Sequence, residues 1–247
     1  DTIFPAFLFA MGMAIPYAIH NRIKKGENKY QITLHIAWRT LALVVMGLFT
    51  VNVGYLDQQG SGMSQPIFTL LMVLAFFLIW SVYPKLEGYK NELITGIKVI
   101  GIIILIYLYI TFAGVNGQSF GTHWWGILGL IGWTYGLSAI IFLFSQRNIV
   151  YNLVATAILI ALSLLSAAGL FGSIPFIDLI PSQATLYAFG MAGVCTGMFL
   201  QQHTKKENKK QFFVIMGIIG IVSLVAAIVS HQFWIISKIQ ATPTWFF

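Results

Sequence analysis

The 247-residue chain is 58% hydrophobic and only 9% charged, with a formal net charge of +7 and a mean hydropathy of +0.83. A soluble domain carries about 25% charged residues, so this composition excludes a soluble enzyme and identifies an integral membrane protein. Most basic residues fall in short loops between apolar runs, where they speak to membrane topology rather than to nucleic acid, and the lone Cys195 excludes an internal disulfide or a thiolate metal cluster.

The apolar runs are 18–24 residues long and lack period-two alternation, so they predict spanning α-helices rather than barrel strands. Taken in order they are Ile3–His20, Ile32–Tyr55, Pro66–Tyr83, Leu93–Val115, Trp124–Phe144, Ile149–Phe171, Ala184–His203 and Gln211–Phe233. The expected architecture is all-α: a polytopic bundle of about eight transmembrane helices. Residues 1–247 are expected to form a single helical domain and a piece of a longer membrane protein. The chain opens at Asp1 without an initiator Met, and Thr244-Trp245-Phe246-Phe247 reads like the start of a further apolar run.

The first run carries Pro5 and Pro16, and Pro16 is expected to kink the helix or free a carbonyl. The second run holds His35, Arg39 and Asn52 in an otherwise apolar sequence. His35 and Arg39 are four residues apart and share one helical face. An Arg at the centre of a spanning helix costs about 2.5–3.5 kcal/mol on insertion scales, which makes Arg39 a functional candidate by default. Its bland alternative is a snorkelling side chain, since Arg39 lies only about 10 Å from the basic end of its helix. Lys98, near the start of the fourth run, has the same two readings. The functional reading groups His35, Arg39 and Lys98 into a basic pocket for a phosphate-bearing anion. Gly126, Gly129, Gly132 and Gly136 share a face of the fifth run, and Gly190, Gly193 and Gly197 share one of the seventh, as tight packing in lipid requires. The similar hexapeptides FAMGMA at Phe9–Ala14 and YAFGMA at Tyr187–Ala192 are read as compositional coincidence rather than duplication.

The loops alternate in charge. Arg22, Lys24, Lys25 and Lys29 fill the first, Lys85 and Lys90 the third, Arg147 the fifth, and Lys205, Lys206, Lys209 and Lys210 the seventh. The second, fourth and sixth loops hold no Lys or Arg, and only Lys238 breaks the pattern. The odd-numbered loops are therefore expected to be cytoplasmic, with Asp1, Asp57, His123, Asp178 and His231 near the outer face. Trp124, Trp125, Trp234 and Tyr55 at outer ends, and Trp80 and Tyr83 at an inner one, fit interfacial belts. No Asp or Glu lies within a run, which weighs against a proton- or cation-coupled carrier. The His and carboxylate spacing offers no metal site.

DTIFPAFLFAMGMAIPYAI, a basic loop and HIAWRTLALVVMGLFTVN together resemble the heparan-alpha-glucosaminide N-acetyltransferase family and its bacterial relatives. Asp1-x-x-Phe4-Pro5-x-Phe7, Gly12 and Arg39 match the family's early signature. Trp124-Trp125-Gly126-Ile127-Leu128-Gly129 and Lys238-Ile239-x-Ala241-Thr242-Pro243-x-Trp245 look similar to later ones. Two features depart from the family: its catalytic His lies upstream of the position of Asp1, and GSGMSQPIFTLLMVLAFF lacks the Arg usual before the third helix.

The resemblance implies a polytopic and often dimeric transferase of the bacterial inner membrane, in contact with lipid. It would move an acetyl group from cytosolic acetyl-CoA to an amino sugar or envelope glycan across the bilayer. In that picture His35, Arg39 and Lys98 steady the donor, Asp1 and His123 lie on the catalytic, acceptor side, and no metal is required. The rival readings are a carrier or flippase for a polar solute, supported by the polar second helix, and a non-catalytic membrane scaffold.

Overall fold

A computed structural model describes residues 3–83, 89–145, 148–169, 184–205, 209–237 and 242–247. Asp1, Lys85, Arg147, Asp178, Lys206 and Lys238, all used above, lie outside the described residues. In chain order the helices are α1 (Ile3–Lys24), α2 (Lys29–Val53), α3 (Gln58–Ser61), α4 (Gln65–Trp80), α5 (Tyr89–Ile110), α6 (Gly126–Phe144), α7 (Ile149–Ala167), α8 (Ala184–Lys205), α9 (Lys209–His231) and α10 (Pro243–Phe246). The one-turn 3-10 helix Val115–Gly117 lies between α5 and α6. A long helix stands at each of the eight predicted runs, and seven are long and apolar enough to cross a membrane. The eighth, α4, has 16 residues and rises about 24 Å, short of the hydrocarbon thickness. Along α5 and α9 Ile, Leu and Val side chains are exposed on most of the surface, as lipid contact requires.

The chain divides into two compact units, Asp1–Thr40 with Leu130–Phe247, and Leu41–Gly129. In the first unit α8 is the centre. Its residues 184–191 are all buried, and α1 and α7 pack on it. The crossing with α1 is made by glycine. A methyl group added at Gly12 would overlap the Gly190 carbonyl, and one at Gly193 would overlap the Phe9 carbonyl. The two FAMGMA-like segments therefore touch at this crossing. Phe9 against Gly193 and Met13 against Gly197 advance together, so α1 and α8 run parallel.

On α7 the buried positions include Asn152, Thr156, Leu159 and Ser163, spaced so that they form one stripe. This helix presents polar groups inward and Val, Leu and Ile outward, the reverse of a water-soluble helix. Thr156 contacts the Cys195 thiol at 3.5 Å, Ser163 bonds Thr185, and Asn152 donates to Ser145 at 2.8 Å. Such bonds join helices in lipid, where apolar surface alone supplies little preference for a partner. The end of the chain returns to this unit. Thr244 donates to the Trp234 carbonyl at 2.8 Å, and Trp245 lies between the rings of Phe4 and Phe189.

In the second unit α4 packs on α5 around Phe68, Met72, Ala75, Leu105 and Leu108. Its connecting segments are tied by backbone bonds. Asp57 N–H donates to the Ala113 carbonyl at 2.8 Å and Val115 N–H to the Tyr55 carbonyl at 2.9 Å, with an isolated bridge between Leu56 and Gly114. Asp57 also caps α3 through Gln59 N–H.

Candidate functional site

The first polar constellation forms where α1 turns into α2. Gly26 ends α1 at φ +84°, a conformation that favours glycine and reverses the chain within a few residues. Asn28 and Gln31 then bond reciprocally, each side chain accepting from the other's backbone N–H at 2.9 Å, which is a capping box for α2. This tight turn brings Arg22 of α1 beside His35 of α2. Arg22 Nη1 donates to both Glu27 carboxylate oxygens at 2.9 and 2.8 Å, and Nη2 donates to His35 Nε2 at 2.9 Å. A guanidinium only donates, so His35 Nε2 must accept and the ring proton resides on Nδ1. One turn further, the exposed Arg39 guanidinium lies 5.2 Å from the centroid of the Tyr135 ring.

The predicted His35–Arg39 face therefore exists, and the fold adds a second arginine to it. By sequence position alone Arg22 is one of the basic residues that mark the first loop. The local signal for it was Glu27, an acidic residue among the loop's basic ones and five residues from Arg22. Lys98 belongs to the other unit, where it is exposed and its ammonium lies 5.7 Å over the Tyr83 ring.

The second constellation is within the Leu41–Gly129 unit. Asn52, near the end of α2, is fully buried. Its Nδ2 donates to the Leu48 carbonyl at 2.7 Å and the Gly121 carbonyl at 2.8 Å. Its Oδ1 accepts from Gly121 N–H at 3.1 Å and meets His123 Nε2 at 3.2 Å. The two carbonyl acceptors fix which end of the amide is nitrogen, so His123 Nε2 is the donor in its pair. The His123 ring also stacks on Tyr55, with centroids 4.0 Å apart and planes 9° from parallel. His123 and Trp125 have φ of +43° and +68°, a region that non-glycine residues seldom occupy. Sequence reasoning singled out Asn52 and His123 separately, but a pairing 71 residues apart leaves no local signal. Asp1, the other expected acceptor-side residue, lies outside the described residues. Among the described residues no group of three His, Cys, Asp or Glu is arranged to hold a metal ion.

Comparison with known proteins adds two matches. A family model described as a domain of unknown function (DUF5009) matches residues 1–169. Over 55 residues the chain is 34% identical to the heparan-alpha-glucosaminide N-acetyltransferase of Homo sapiens, a stretch that is 22% of this chain and 8% of that protein. No solved structure matches.

Proposed function

This chain belongs to the DUF5009 family, and from that premise we propose that it is a transmembrane acyltransferase. It moves an acetyl group from cytosolic acetyl-CoA to an amino sugar or envelope glycan on the extracytoplasmic side of a bacterial inner membrane. The observation that carries this reading is the 55-residue likeness to the human N-acetyltransferase. The Arg22–His35–Arg39 constellation supports it. Arg39 carries a guanidinium with no carboxylate partner among the described residues, suited to forked hydrogen bonds with a phosphate. Arg22 adds a second guanidinium on His35, its charge paired with the Glu27 carboxylate. Asp1 and His123 are assigned to the acceptor side. The excess of Lys and Arg in alternate loops supports a cytoplasmic donor. The chemistry asks for no metal, because a thioester is attacked by an amine directly. A homodimer is part of the proposal.

The test uses the full-length protein in liposomes, labelled acetyl-CoA and glucosamine-type acceptors. Acetyl transfer is expected, with Arg39→Ala raising KM for acetyl-CoA about 10-fold or more, the equivalent of one charge-assisted hydrogen bond. Unchanged kinetics in that variant refute the donor assignment. Movement of the sugar across the bilayer without release of CoA refutes the acyltransferase and favours a carrier.

A further inference from the structure

The turn between α1 and α2 closes without help from the Arg22 side chain. Gly26 reverses the chain, Glu27 N–H donates back to the Arg22 carbonyl at 3.2 Å, and the Asn28–Gln31 box starts α2. Arg22 nevertheless bridges the two helices, with Nη1 on the Glu27 carboxylate and Nη2 on His35 Nε2. Glu27 thereby fixes the guanidinium, and the guanidinium fixes the imidazole. The consequence is chemical. Nε2 can only accept here, so the ring is neutral and its one proton lies on Nδ1. His203 uses such a proton within its own helix, where Nδ1 donates to the Phe199 carbonyl at 2.9 Å. His35 Nδ1 has no hydrogen-bond partner among the described residues. Arg39 follows one turn later on the same face, beside the Tyr135 ring and without a carboxylate partner among the described residues. Arg22, Glu27, His35, Arg39 and Tyr135 all belong to one compact unit.

We propose that Arg22 and Glu27 are positioning residues that keep His35 as an Nδ1–H donor, and that this N–H and the Arg39 guanidinium together bind one phosphate group of the acyl donor. The inference rests on the acyltransferase reading for the identity of the ligand. An ionised phosphate offers only acceptor oxygens, so it pairs with an imidazole whose free nitrogen carries the proton. The opposite tautomer would turn a lone pair toward it. Arg39 supplies the charge, and His35 adds a neutral donor from the same helical face. Arg22, already paired with Glu27, acts through His35 rather than as a second free cation. The phosphate of a lipid headgroup has the same chemistry, and the experiment separates the two sources.

The experiment follows acetyl transfer to glucosamine-type acceptors by the full-length protein in phospholipid-free detergent micelles. It compares acetyl-CoA with S-acetylpantetheine, which carries the thioester and no phosphate. Arg22→Met combined with Glu27→Gln removes one charge of each sign, so net charge is unchanged while the bond to His35 is lost. This pair is expected to raise KM for acetyl-CoA by about 3–10-fold, with kcat and KM for S-acetylpantetheine unchanged. Added to His35→Ala, the same pair should raise KM no further, because its effect passes through the imidazole. NMR of nitrogen-labelled histidine reads the tautomer without turnover, and the signal missing from His35→Ala identifies His35. That ring should carry its proton on Nδ1 in the wild type and lose this preference in the paired variant. If the wild type transfers acetyl and the paired variant keeps KM for acetyl-CoA within twofold, the inference is overturned while the acyltransferase stands. Equal rises in KM for both donors, or a proton on Nε2 of His35 in the wild type, overturn it equally. If KM is unmoved in every variant but phosphatidylglycerol binding falls in His35→Ala, the phosphate held here is a lipid's and the donor assignment is overturned. If the wild type transfers acetyl from neither donor, the acyltransferase reading fails, and this assignment with it.

Discussion

Gly193→Ala adds one methyl group at the α1–α8 crossing, where the structure leaves no room for it. The new carbon would overlap the Phe9 carbonyl and lie 3.0 Å from the Met13 nitrogen. Both are backbone atoms, so no side-chain rotation relieves the contact. The helices must part by about 1 Å to restore ordinary van der Waals separation, which also weakens the contacts on either side. Overpacking of this kind costs about 1–3 kcal/mol. Alanine also favours a helix over glycine by up to about 1 kcal/mol, which would blur the result. Gly217→Ala on α9 supplies the control, because a methyl there meets nothing within 4 Å. The propensity gain is common to both variants, so their difference isolates the overlap. At about 2–4 °C per kcal/mol, Gly193→Ala should melt about 2–12 °C below Gly217→Ala. Intrinsic fluorescence of the seven tryptophans during heating in detergent reads this directly. If Gly193→Ala melts at or above Gly217→Ala, the helix crossing described here is wrong.

Other consequences are equally open to measurement. Asn52→Leu removes both bonds to Gly121, a loss of about 1–3 kcal/mol, and should speed hydrogen exchange at the Gly121 amide; unaltered exchange there contradicts the Asn52 clasp. Asn152→Leu deletes a bond to Ser145 on the buried stripe of α7 and should cost about 0.6–1.7 kcal/mol in a detergent unfolding titration. Glu27→Gln should change stability by less than about 1 kcal/mol, because the Arg22–Glu27 pair is about one-third exposed and screened by water; a larger fall in the melting midpoint would show the pair to be structural. Cys195, only 8% exposed on α8, should resist maleimide labelling until the protein unfolds, as a mass-spectrometric time course would reveal.

The positions of the eight helices were legible in the sequence because membrane insertion reads composition residue by residue. A run of some twenty apolar residues has few alternatives once water is excluded from its backbone. The same locality exposed the glycine face of α8 and the His35–Arg39 face of α2, since a helix fixes which residues share a side. The shortness of α4 was not legible: its apolar run continues to Tyr83, whereas the helix stops at Trp80. Partnerships across the chain were equally hidden. Hydropathy marked Arg22 as one loop charge among several, and only the turn at Gly26 brings it to His35. Asn52 and His123 were visible one by one, but nothing in either segment encodes the other. Their bond depends on how the segment after α5 folds back onto the end of α2. Local chemistry thus determined which segments are helical and where charge is tolerated. Tertiary structure decided which polar groups meet, because a hydrogen bond requires two groups within about 3 Å and sequence distance carries no information about that.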